Sequence, residues 1–181
     1  MNKGETMDLK KYIADVPDFP KQGILFRDIG PILASPEAMD EVVSQLATIA
    51  KEVGAEKIMA FESRGFVFGA PLAHRLELPF VMLRKKGKLP GKTISASYKL
   101  EYGEAVLEMA ENAVRHGEQV LLVDDLLATG GTSKAGVLLI EKAGGVVSGL
   151  AYVIELASLK GRKVLEGYPI HTLVTYDNPK E

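Results

Sequence analysis

The sequence predicts an α/β fold in which helices flank a central, mostly parallel sheet. Apolar runs of strand length alternate along the chain with segments of helical periodicity, a pattern typical of parallel strands joined by helical crossovers. Residues 119–125 form the clearest strand, because their apolar residues do not alternate with polar ones, as in a strand buried on both faces. Residues 36–53 form the clearest helix, because their apolar residues recur at spacings of three and four.

The ends of that helix are also marked in the sequence. Ser35 suits its N-cap, Pro36 suits its first turn and Gly54 suits its C-terminal end. Shorter runs bounded by turn residues predict the remaining elements, which are strands at 57–61, 79–84, 146–155 and 170–175 and helices at 65–76 and 132–143.

Two segments fall outside the alternation of strands and helices. Residues 1–35 are rich in Pro, Gly and Asp, and we expect them to form a small, irregular cap. Residues 85–104 are basic, interrupted by Gly and Pro, and long for a connection, which is typical of a functional loop. We interpret this second segment as a lid.

The composition is that of a single soluble domain, with 46% hydrophobic and 25% charged residues among 181. The chain has no cysteine, which excludes disulfides, a thiolate nucleophile and a cysteine zinc site. Its net charge of −2 argues against nucleic-acid binding. No apolar run reaches the roughly 18 residues of a membrane span, and the first residues lack the apolar core of a secretory signal. We therefore expect a cytoplasmic protein with no membrane partner.

A glycine-containing turn follows the clearest strand and precedes a predicted helix. Ligands bind at the carboxyl ends of parallel strands, and glycines let backbone N–H groups approach an anion there. The helix that follows adds the partial positive charge of its N-terminus. Neither GxxxxGK[ST] nor GxGxxG is present, so the turn is a different kind of phosphate loop. Its residues are Ala128, Thr129, Gly130, Gly131 and Thr132.

Two carboxylates, Asp124 and Asp125, end the strand just before this turn. A carboxylate beside a bound phosphate would repel it, so these groups should face a neutral or cationic partner. Vicinal ribose hydroxyls, or water on a Mg²⁺ ion, meet that requirement. The combination of strand, acidic pair and glycine turn indicates a phosphate-binding site whose acidic pair faces either ribose hydroxyls or the waters of a Mg²⁺ ion.

At this point the sequence resembles the type I phosphoribosyltransferase family, and within it the adenine-specific branch. The strand and turn, VLLVDDLLATGGTS, match the family's motif for 5-phosphoribosyl 1-diphosphate. The resemblance covers nearly the whole chain, because further segments match in the same order: FPKQGILFRDIGPIL, FESRGFVFG, RKKGKLPGKTISASYKLEYG and ELASLKGR.

The resemblance implies a division of the chain and a reaction. Residues 1–35 would form a hood over the base, residues 36–181 the core, and residues 85–104 a flexible lid hairpin. The reaction would convert adenine and 5-phosphoribosyl 1-diphosphate to AMP and pyrophosphate, with Mg²⁺ carried mainly by the diphosphate. The family's usual assembly is a homodimer.

The resemblance also assigns roles to individual residues. Asp124 and Asp125 would bind the ribose, and the phosphate loop the 5′-phosphate. Glu101 would be the general acid/base, with Glu104 and Glu108 close enough in sequence to be confused with it. Pyrophosphate contacts would come from Ser63, Arg64, Lys85, Lys88 and Tyr102, with Arg84 a further candidate. Adenine would lie between Phe26 and Leu156, with the backbone of Leu25 and Arg27 reading its polar edge.

The resemblance further implies a non-proline cis peptide bond between Glu62 and Ser63. Two other functions stay open. A transferase for hypoxanthine, guanine or xanthine would share the phosphate loop but need a different hood. A regulator that senses 5-phosphoribosyl 1-diphosphate would need a DNA-binding module, for which the first 35 residues are too short and irregular.

Overall fold

A seven-stranded sheet forms the centre of the computed structural model, which describes residues 7–100 and 103–178. A separate antiparallel hairpin of β1 (Ala14–Pro17) and β2 (Leu25–Asp28) precedes it. The strands of the central sheet are β3 (Lys57–Phe61), β4 (Phe80–Lys85), β5 (Thr93–Leu100), β6 (Gly103–Ala110), β7 (Gln119–Leu127), β8 (Val146–Leu156) and β9 (Ile170–Tyr176).

The sheet is mostly parallel, as predicted, with strand order β5-β6-β4-β3-β7-β8-β9. β4, β3, β7, β8 and β9 pair in parallel, whereas β6 pairs antiparallel with β4 and with β5. In the middle of the sheet, Met59 of β3 lies beside Val81 of β4 and Leu122 of β7. The carboxyl ends of the five parallel strands therefore lie along one edge.

Helices cover both faces of this sheet. They are α1 (Gly30–Ala34), α2 (Pro36–Glu52), α3 (Arg64–Leu76), α4 (Gly131–Lys142) and the single turn α5 (Gly161–Val164). On one face, Leu46 of α2 and Phe68 of α3 join an apolar cluster with Ile58, and on the other, Ile140 of α4 joins a cluster with Met59. The alternation of β3 side chains supplies both clusters. Within the described ranges, no helix combines the length and apolar character needed to cross a membrane.

The predicted long helix is confirmed, because α2 begins at Pro36 and its N-cap Ser35 accepts a hydrogen bond from the Ala38 N–H at 3.2 Å. The segment before it is more regular than the expected irregular cap. It contains a 3-10 turn, the β1–β2 hairpin and α1. Leu9, Ile29 and Ile32 of this segment belong to the same cluster as α2. The boundary between a hood at 1–35 and a core at 36–181 stays a prediction.

The predicted lid at 85–104 contains the turn after β4, the whole of β5 and the start of β6. The hairpin thus extends to Ala110, and it continues the central sheet, because Arg84 and Lys85 of β4 pair with Glu108 and Leu107 of β6. The residue pattern did not mark strands in this segment, but the resemblance implied a hairpin, and β5 and β6 form one. The polar and small residues of β5 do not show a strand pattern, although its Ile94 packs on the α4 side of the sheet.

A buried ion pair joins the amino ends of β3 and β7, far along the strands from their carboxyl ends. Lys57 Nζ donates to Glu118 Oε2 at 2.6 Å and to the Ala113 carbonyl at 2.6 Å. The Arg115 N–H and guanidinium also donate to the Glu118 carboxylate. Burial opposes ionisation of Glu118, but these hydrogen bonds outweigh it and lower its pKa from 4.5 to about 2.

The Glu118→Gln substitution should lower the free energy of unfolding at neutral pH by about 3–5 kcal/mol, because Lys57 would stay buried without a counter-charge. The pKa of Glu118 is depressed on folding, so its contribution is complete above about pH 4.5 and is lost as the pH falls towards 2. Urea denaturation from pH 7 to pH 3 should therefore show the deficit of the variant shrinking in acid. The exposed Glu52→Gln is the control, and a similar small loss in both variants would contradict the prediction.

Candidate active site

The loops after β3, β7 and β8 meet at the carboxyl edge of the sheet. The phosphate loop follows β7 and continues into α4, whose first residue is Gly131. Gly130 has a left-handed backbone with φ of 81°, and a Cβ there would lie 2.7 Å from the Gly161 carbonyl oxygen. Both facts require glycine at this position. Thr129 is exposed and Thr132 lies in the first turn of α4, so hydroxyls flank the helix N-terminus.

The first turn of α4 is anchored to the sheet beneath it. The Tyr152 hydroxyl donates to Ser133 Oγ at 2.7 Å, and both residues are buried. Burial raises the pKa of Tyr152 above its ordinary value, so the phenol stays protonated and can donate. The helix N-terminus therefore keeps a fixed direction towards the loop. Ser133 and Tyr152 carry no signal in the sequence that identifies this role.

The acidic pair lies at the end of β7, beside the phosphate loop. Part of Asp124 reaches solvent, but its carboxyl is surrounded by protein atoms. Burial, followed by the charge of Asp125, raises the pKa of Asp124 well above its ordinary value. Burial also raises the pKa of Asp125, while the charge of Arg64 opposes the rise. Two close, desolvated carboxyls of this kind gain most from hydrogen-bond donors or a cation.

Arg64 supplies one such cation. Its Nε lies 2.9 Å from Asp125 Oδ2 in an ion pair, although the N–H bond does not point at that oxygen. The guanidinium carbon also lies 5.1 Å from the centroid of the Phe26 ring. Arg64 therefore connects the loop after β3 with the acidic pair and with the predicted base-stacking ring.

The turn between β3 and α3 approaches the acidic pair closely. A Cβ on Gly65 would lie 2.8 Å from Asp124 Oδ1 and 3.0 Å from the Val123 carbonyl oxygen, so only glycine fits. The peptide bond between Glu62 and Ser63 is cis, which confirms the expectation from the sequence. Ser63 directly precedes α3, at its N-cap position.

Glu62 holds the start of the basic turn after β4, a role that the sequence did not reveal. Its carboxylate accepts from Arg84 Nη2 at 3.1 Å and from the Lys85 N–H at 3.0 Å. The hydrogen bond from Arg84 is the main reason why the pKa of Glu62 is lowered. Arg84 Nη1 also donates to the Lys88 carbonyl at 2.8 Å. Lys85 and Lys88 are exposed at this turn, which leaves their ammonium groups at the surface of the site.

Phe26 of the β1–β2 hairpin is half-buried, and the exposed Phe19 meets it edge-on at 5.1 Å between ring centroids. Leu25 starts β2, paired with Pro17. Arg27 is 2% exposed, because its guanidinium pairs with Asp15 and lies 3.8 Å over the Tyr176 ring. The Arg27 side chain thus fastens the hairpin to the end of β9.

Leu156 is the last residue of β8 and lies beside Tyr176 of β9 in the register of the sheet. The Arg27–Tyr176 contact therefore brings the hairpin that carries Phe26 to the strand next to Leu156. Glu101 and Tyr102 lie outside the described residues. Glu108, the alternative to Glu101, is 8% exposed and its carboxylate accepts from the Gly87 N–H at 2.9 Å, so it supports the basic turn.

This architecture, with a glycine loop and acidic pair at the carboxyl end of a parallel strand, defines a phosphoribosyl-binding α/β protein. Residues 32–176 match the phosphoribosyl transferase domain family. The match includes the acidic pair, the phosphate loop and both neighbouring loops.

Similar proteins narrow this class. The adenine phosphoribosyltransferase of Kosmotoga olearia is 50% identical over 170 residues, which span 94% of this chain and 100% of that protein. The crystal structure of adenine phosphoribosyltransferase from Thermoanaerobacter pseudethanolicus matches with a TM-score of 0.90 and 47% identity, over 93% of this chain and 98% of that one. The Saccharomyces cerevisiae enzyme, complexed with D-2,5-dideoxy-2,5-imino-altritol 1,6-bisphosphate and adenine, matches with a TM-score of 0.88 and 38% identity, over 92% and 96%. The chain therefore belongs to the adenine phosphoribosyltransferase family.

The close approach of Gly65 to Asp124 and the Val123 carbonyl predicts how a substitution there changes stability. Because Gly65 lies in the first turn of α3, helix propensity alone would favour alanine by up to about 1 kcal/mol. The clash with Asp124 and the Val123 carbonyl should reverse that sign and lower the free energy of unfolding by about 1–3 kcal/mol in Gly65→Ala. Chemical denaturation measures the difference. Gly149→Ala, whose Cβ would meet neighbours no nearer than 3.4 Å, is the control, and a Gly65→Ala variant more stable than the unchanged protein would refute the clash.

Proposed function

We propose that the chain catalyses transfer of the 5-phosphoribosyl group from 5-phosphoribosyl 1-diphosphate to adenine, giving AMP and pyrophosphate. The observation that carries the proposal is the phosphate loop at the carboxyl end of β7, separated by two residues from Asp124 and Asp125, in a chain of the adenine phosphoribosyltransferase family. The enzyme would act in purine salvage in the cytoplasm.

The 5′-phosphate would bind at the N-terminus of α4, where the backbone N–H groups of the loop, the helix dipole and the hydroxyls of Thr129 and Thr132 all favour a dianion. The ribose hydroxyls would donate to Asp124 and Asp125. Their raised pKa values support this role, because buried carboxyls gain from neutral donors that replace lost hydration. The acidic pair would then hold the sugar without repelling the phosphate.

The diphosphate would lie between the loop after β3 and the basic turn after β4. Ser63 and Arg64 would contact it from the first, Lys85 and Lys88 from the second, and Tyr102 from the far end of the lid segment, between β5 and β6. Arg64 offers a planar fork of donors suited to phosphate oxygens. The hydrogen bonds that the Glu62 carboxylate accepts from Arg84 and from the Lys85 N–H support the proposal, because they fix the backbone from which the lysines extend.

Magnesium would enter with the diphosphate and neutralise part of the charge on the departing pyrophosphate. In residues 7–100 and 103–178, no group of three or more His, Asp or Glu side chains is placed to hold a metal ion. The carboxylate oxygens of Asp124 and Asp125 could accept hydrogen bonds from the water ligands of a magnesium ion. This arrangement fits an ion whose other ligands are phosphate oxygens.

Adenine would lie between the Phe26 ring and the Leu156 side chain, since base stacking on an aromatic ring contributes about 1–3 kcal/mol. The backbone of Leu25 and Arg27 would read the polar edge of the base. The Arg27 guanidinium pairs with Asp15 and packs on the Tyr176 ring. This supports the proposal that Arg27 would contact the base through its backbone and not through its side chain. Backbone donors and acceptors can accept a 6-amino group and reject a 6-oxo group, which would leave buried polar atoms unpaired.

In the reaction, N9 of adenine would attack the anomeric carbon as the bond to the pyrophosphate oxygen breaks, with inversion at that carbon. Positive charge develops on the sugar as in glycoside chemistry. Glu101 would take the proton released from the imidazole ring of the base. Closure of the hairpin at 85–104 over the site would exclude water, which would otherwise hydrolyse the sugar.

The alternatives differ in measurable ways. A transferase for 6-oxopurines would form IMP or GMP, and a regulator would bind 5-phosphoribosyl 1-diphosphate without turnover. We favour the enzyme for adenine because the sequence matches at the hood and lid as well as at the phosphate loop. We also propose, from the family, that the enzyme is a homodimer.

The purified protein, supplied with 5-phosphoribosyl 1-diphosphate and Mg²⁺, should form AMP from adenine and at least about 100-fold less product from hypoxanthine or guanine. Chromatography of the nucleotides measures this. IMP or GMP as the main product would contradict the base assignment while leaving the phosphate site intact. Binding of 5-phosphoribosyl 1-diphosphate without product from any base would instead favour the regulator.

The Glu101→Gln variant should lose about 100- to 10,000-fold in kcat, because the amide cannot accept the proton of the base. Its affinity for AMP in calorimetry should change little, since the role lies in the transition state. Glu111→Gln, an exposed glutamate beyond the end of β6, is the matched control. A variant with normal kcat would remove Glu101 from the chemistry.

A further inference from the structure

An ion pair outside the predicted site, between a buried carboxylate of β8 and a half-exposed guanidinium of α5, closes the loop that follows β8. Glu155 Oε1 accepts from Arg162 Nε at 2.7 Å, and Glu155 Oε2 accepts from Arg162 Nη2 at 2.8 Å. The pair is therefore bidentate, the geometry that fixes both position and orientation. Glu155 is only 5% exposed, whereas 48% of the Arg162 side chain is exposed, so the buried carboxylate and the bidentate geometry distinguish this pair from an exposed one.

Strand β9 holds the same pair from a second direction. The Thr172 hydroxyl donates to Glu155 Oε2 at 3.1 Å, and Arg162 Nη1 donates to the Ile170 carbonyl at 3.2 Å. The hydrogen bonds from Arg162 are the main reason why the pKa of Glu155 is lowered, so the carboxylate is ionised at neutral pH. Both ends of the loop are thereby fixed to the sheet.

The residues between Glu155 and Arg162 reach the two halves of the site. Leu156, directly after Glu155, is the proposed wall of the base pocket. Gly161, directly before Arg162, packs against the phosphate loop so closely that a Cβ would lie 2.3 Å from the Ala128 carbonyl oxygen. Val164 of α5 also packs against the phosphate loop, because a Cβ built on Gly130 would lie 3.2 Å from the Val164 Cβ. One loop thus carries a base contact at one end and the support of the phosphate loop at the other.

The loop has little structure of its own to keep this arrangement. It consists of a short 3-10 turn, a left-handed Lys160 with φ of 57° and the single-turn helix α5. A helix of one turn is unstable by itself, because nucleation is unfavourable. Its position must therefore come from tertiary contacts, which include the bidentate Glu155–Arg162 pair and the packing of Gly161 on the phosphate loop.

We propose that Glu155 and Arg162 are positioning residues that set the distance between the base pocket and the phosphate loop. Neither touches a substrate, and each acts through the loop between them. The inference rests on the proposed function, because it needs a base bound at Leu156 and a phosphate bound at residues 128–132. It extends that function to a pair for which the resemblance implies no role.

A positioning role makes a specific kinetic prediction. Loosening the loop should displace the base wall and the support of the phosphate loop together, so both substrates should bind more weakly. Loss of the Leu156 side chain alone should weaken adenine binding only. A purely structural role would lower the melting temperature and leave both KM values unchanged.

The test compares Arg162→Met and Arg162→Lys with the unchanged enzyme, after its AMP formation has been measured. In Arg162→Met both KM values should rise by about 10- to 100-fold, since small misplacements of a site have effects of that size, while kcat changes less. Arg162→Lys keeps the charge but not the planar fork, so its two KM values should lie between those of Arg162→Met and the unchanged enzyme. Leu156→Ala should raise the KM for adenine alone.

The matched control is Arg75→Met, which removes an exposed arginine whose Nη1 lies 2.9 Å from Asp40 Oδ1. It should leave both KM values unchanged, because an exposed pair of this kind contributes little. The positioning role is overturned if both Arg162 variants have the KM values of this control. If Arg162→Met does not fold, an Arg162→Lys variant with unchanged KM values overturns it alone. Absence of AMP formation by the unchanged enzyme would refute the proposed function instead.

Discussion

The position of β7 in the sheet determines the rest of the site. β7 pairs in parallel with β3 on one side and β8 on the other, so the loops after these three strands end side by side at one edge. Arg64 lies just after β3, the Asp124–Asp125 pair lies near the end of β7 before the phosphate loop, and Leu156 ends β8. An antiparallel neighbour at either side would send one of these loops to the opposite edge. The parallel pairing is therefore the constraint on which every other feature of the site depends.

Placing two carboxylates beside an anion-binding loop creates an electrostatic conflict, and the neighbouring residues resolve it. Gly65 lets α3 approach Asp124 without a side chain between them, and Arg64 places its cation beside Asp125. Burial raises the pKa of both acids, because it removes water from their carboxylates. Hydrogen-bond donors that take the place of this water would stabilise the charged carboxylates. The proposed 5′-phosphate would meet the dipole of α4, while the acids face the adjacent loop with Arg64 and Gly65.

The sequence predicts well what depends on neighbouring residues and poorly what depends on contacts across the fold. The strand at 119–125, the turn with Gly130 and the helix after it follow one another, so their joint geometry is visible in the sequence. Glu62 with Arg84, and Arg27 with Tyr176, join segments that meet only after the sheet has formed, and no spacing reveals them. The residue pattern did not reveal β5 for another reason. Its small and polar residues lack the apolar alternation of a typical strand, and its position depends on contacts with α4 and pairing with β6.

These long-range contacts share a function in the architecture. The proposed substrate contacts come from the β1–β2 hairpin and from segments at or after the ends of strands, and a charged side chain fixes several of these segments to another part of the fold. Glu62 anchors the basic turn, Arg27 anchors the hairpin with Phe26, and Arg162 anchors the loop with Leu156. Because the Arg27 guanidinium is buried and the Arg162 pair is bidentate, these two contacts fix backbone positions more firmly than exposed ion pairs do. A site that reads a base through backbone groups and a phosphate through backbone N–H groups needs such anchors, since backbone atoms can be positioned only by fixing the segments that carry them.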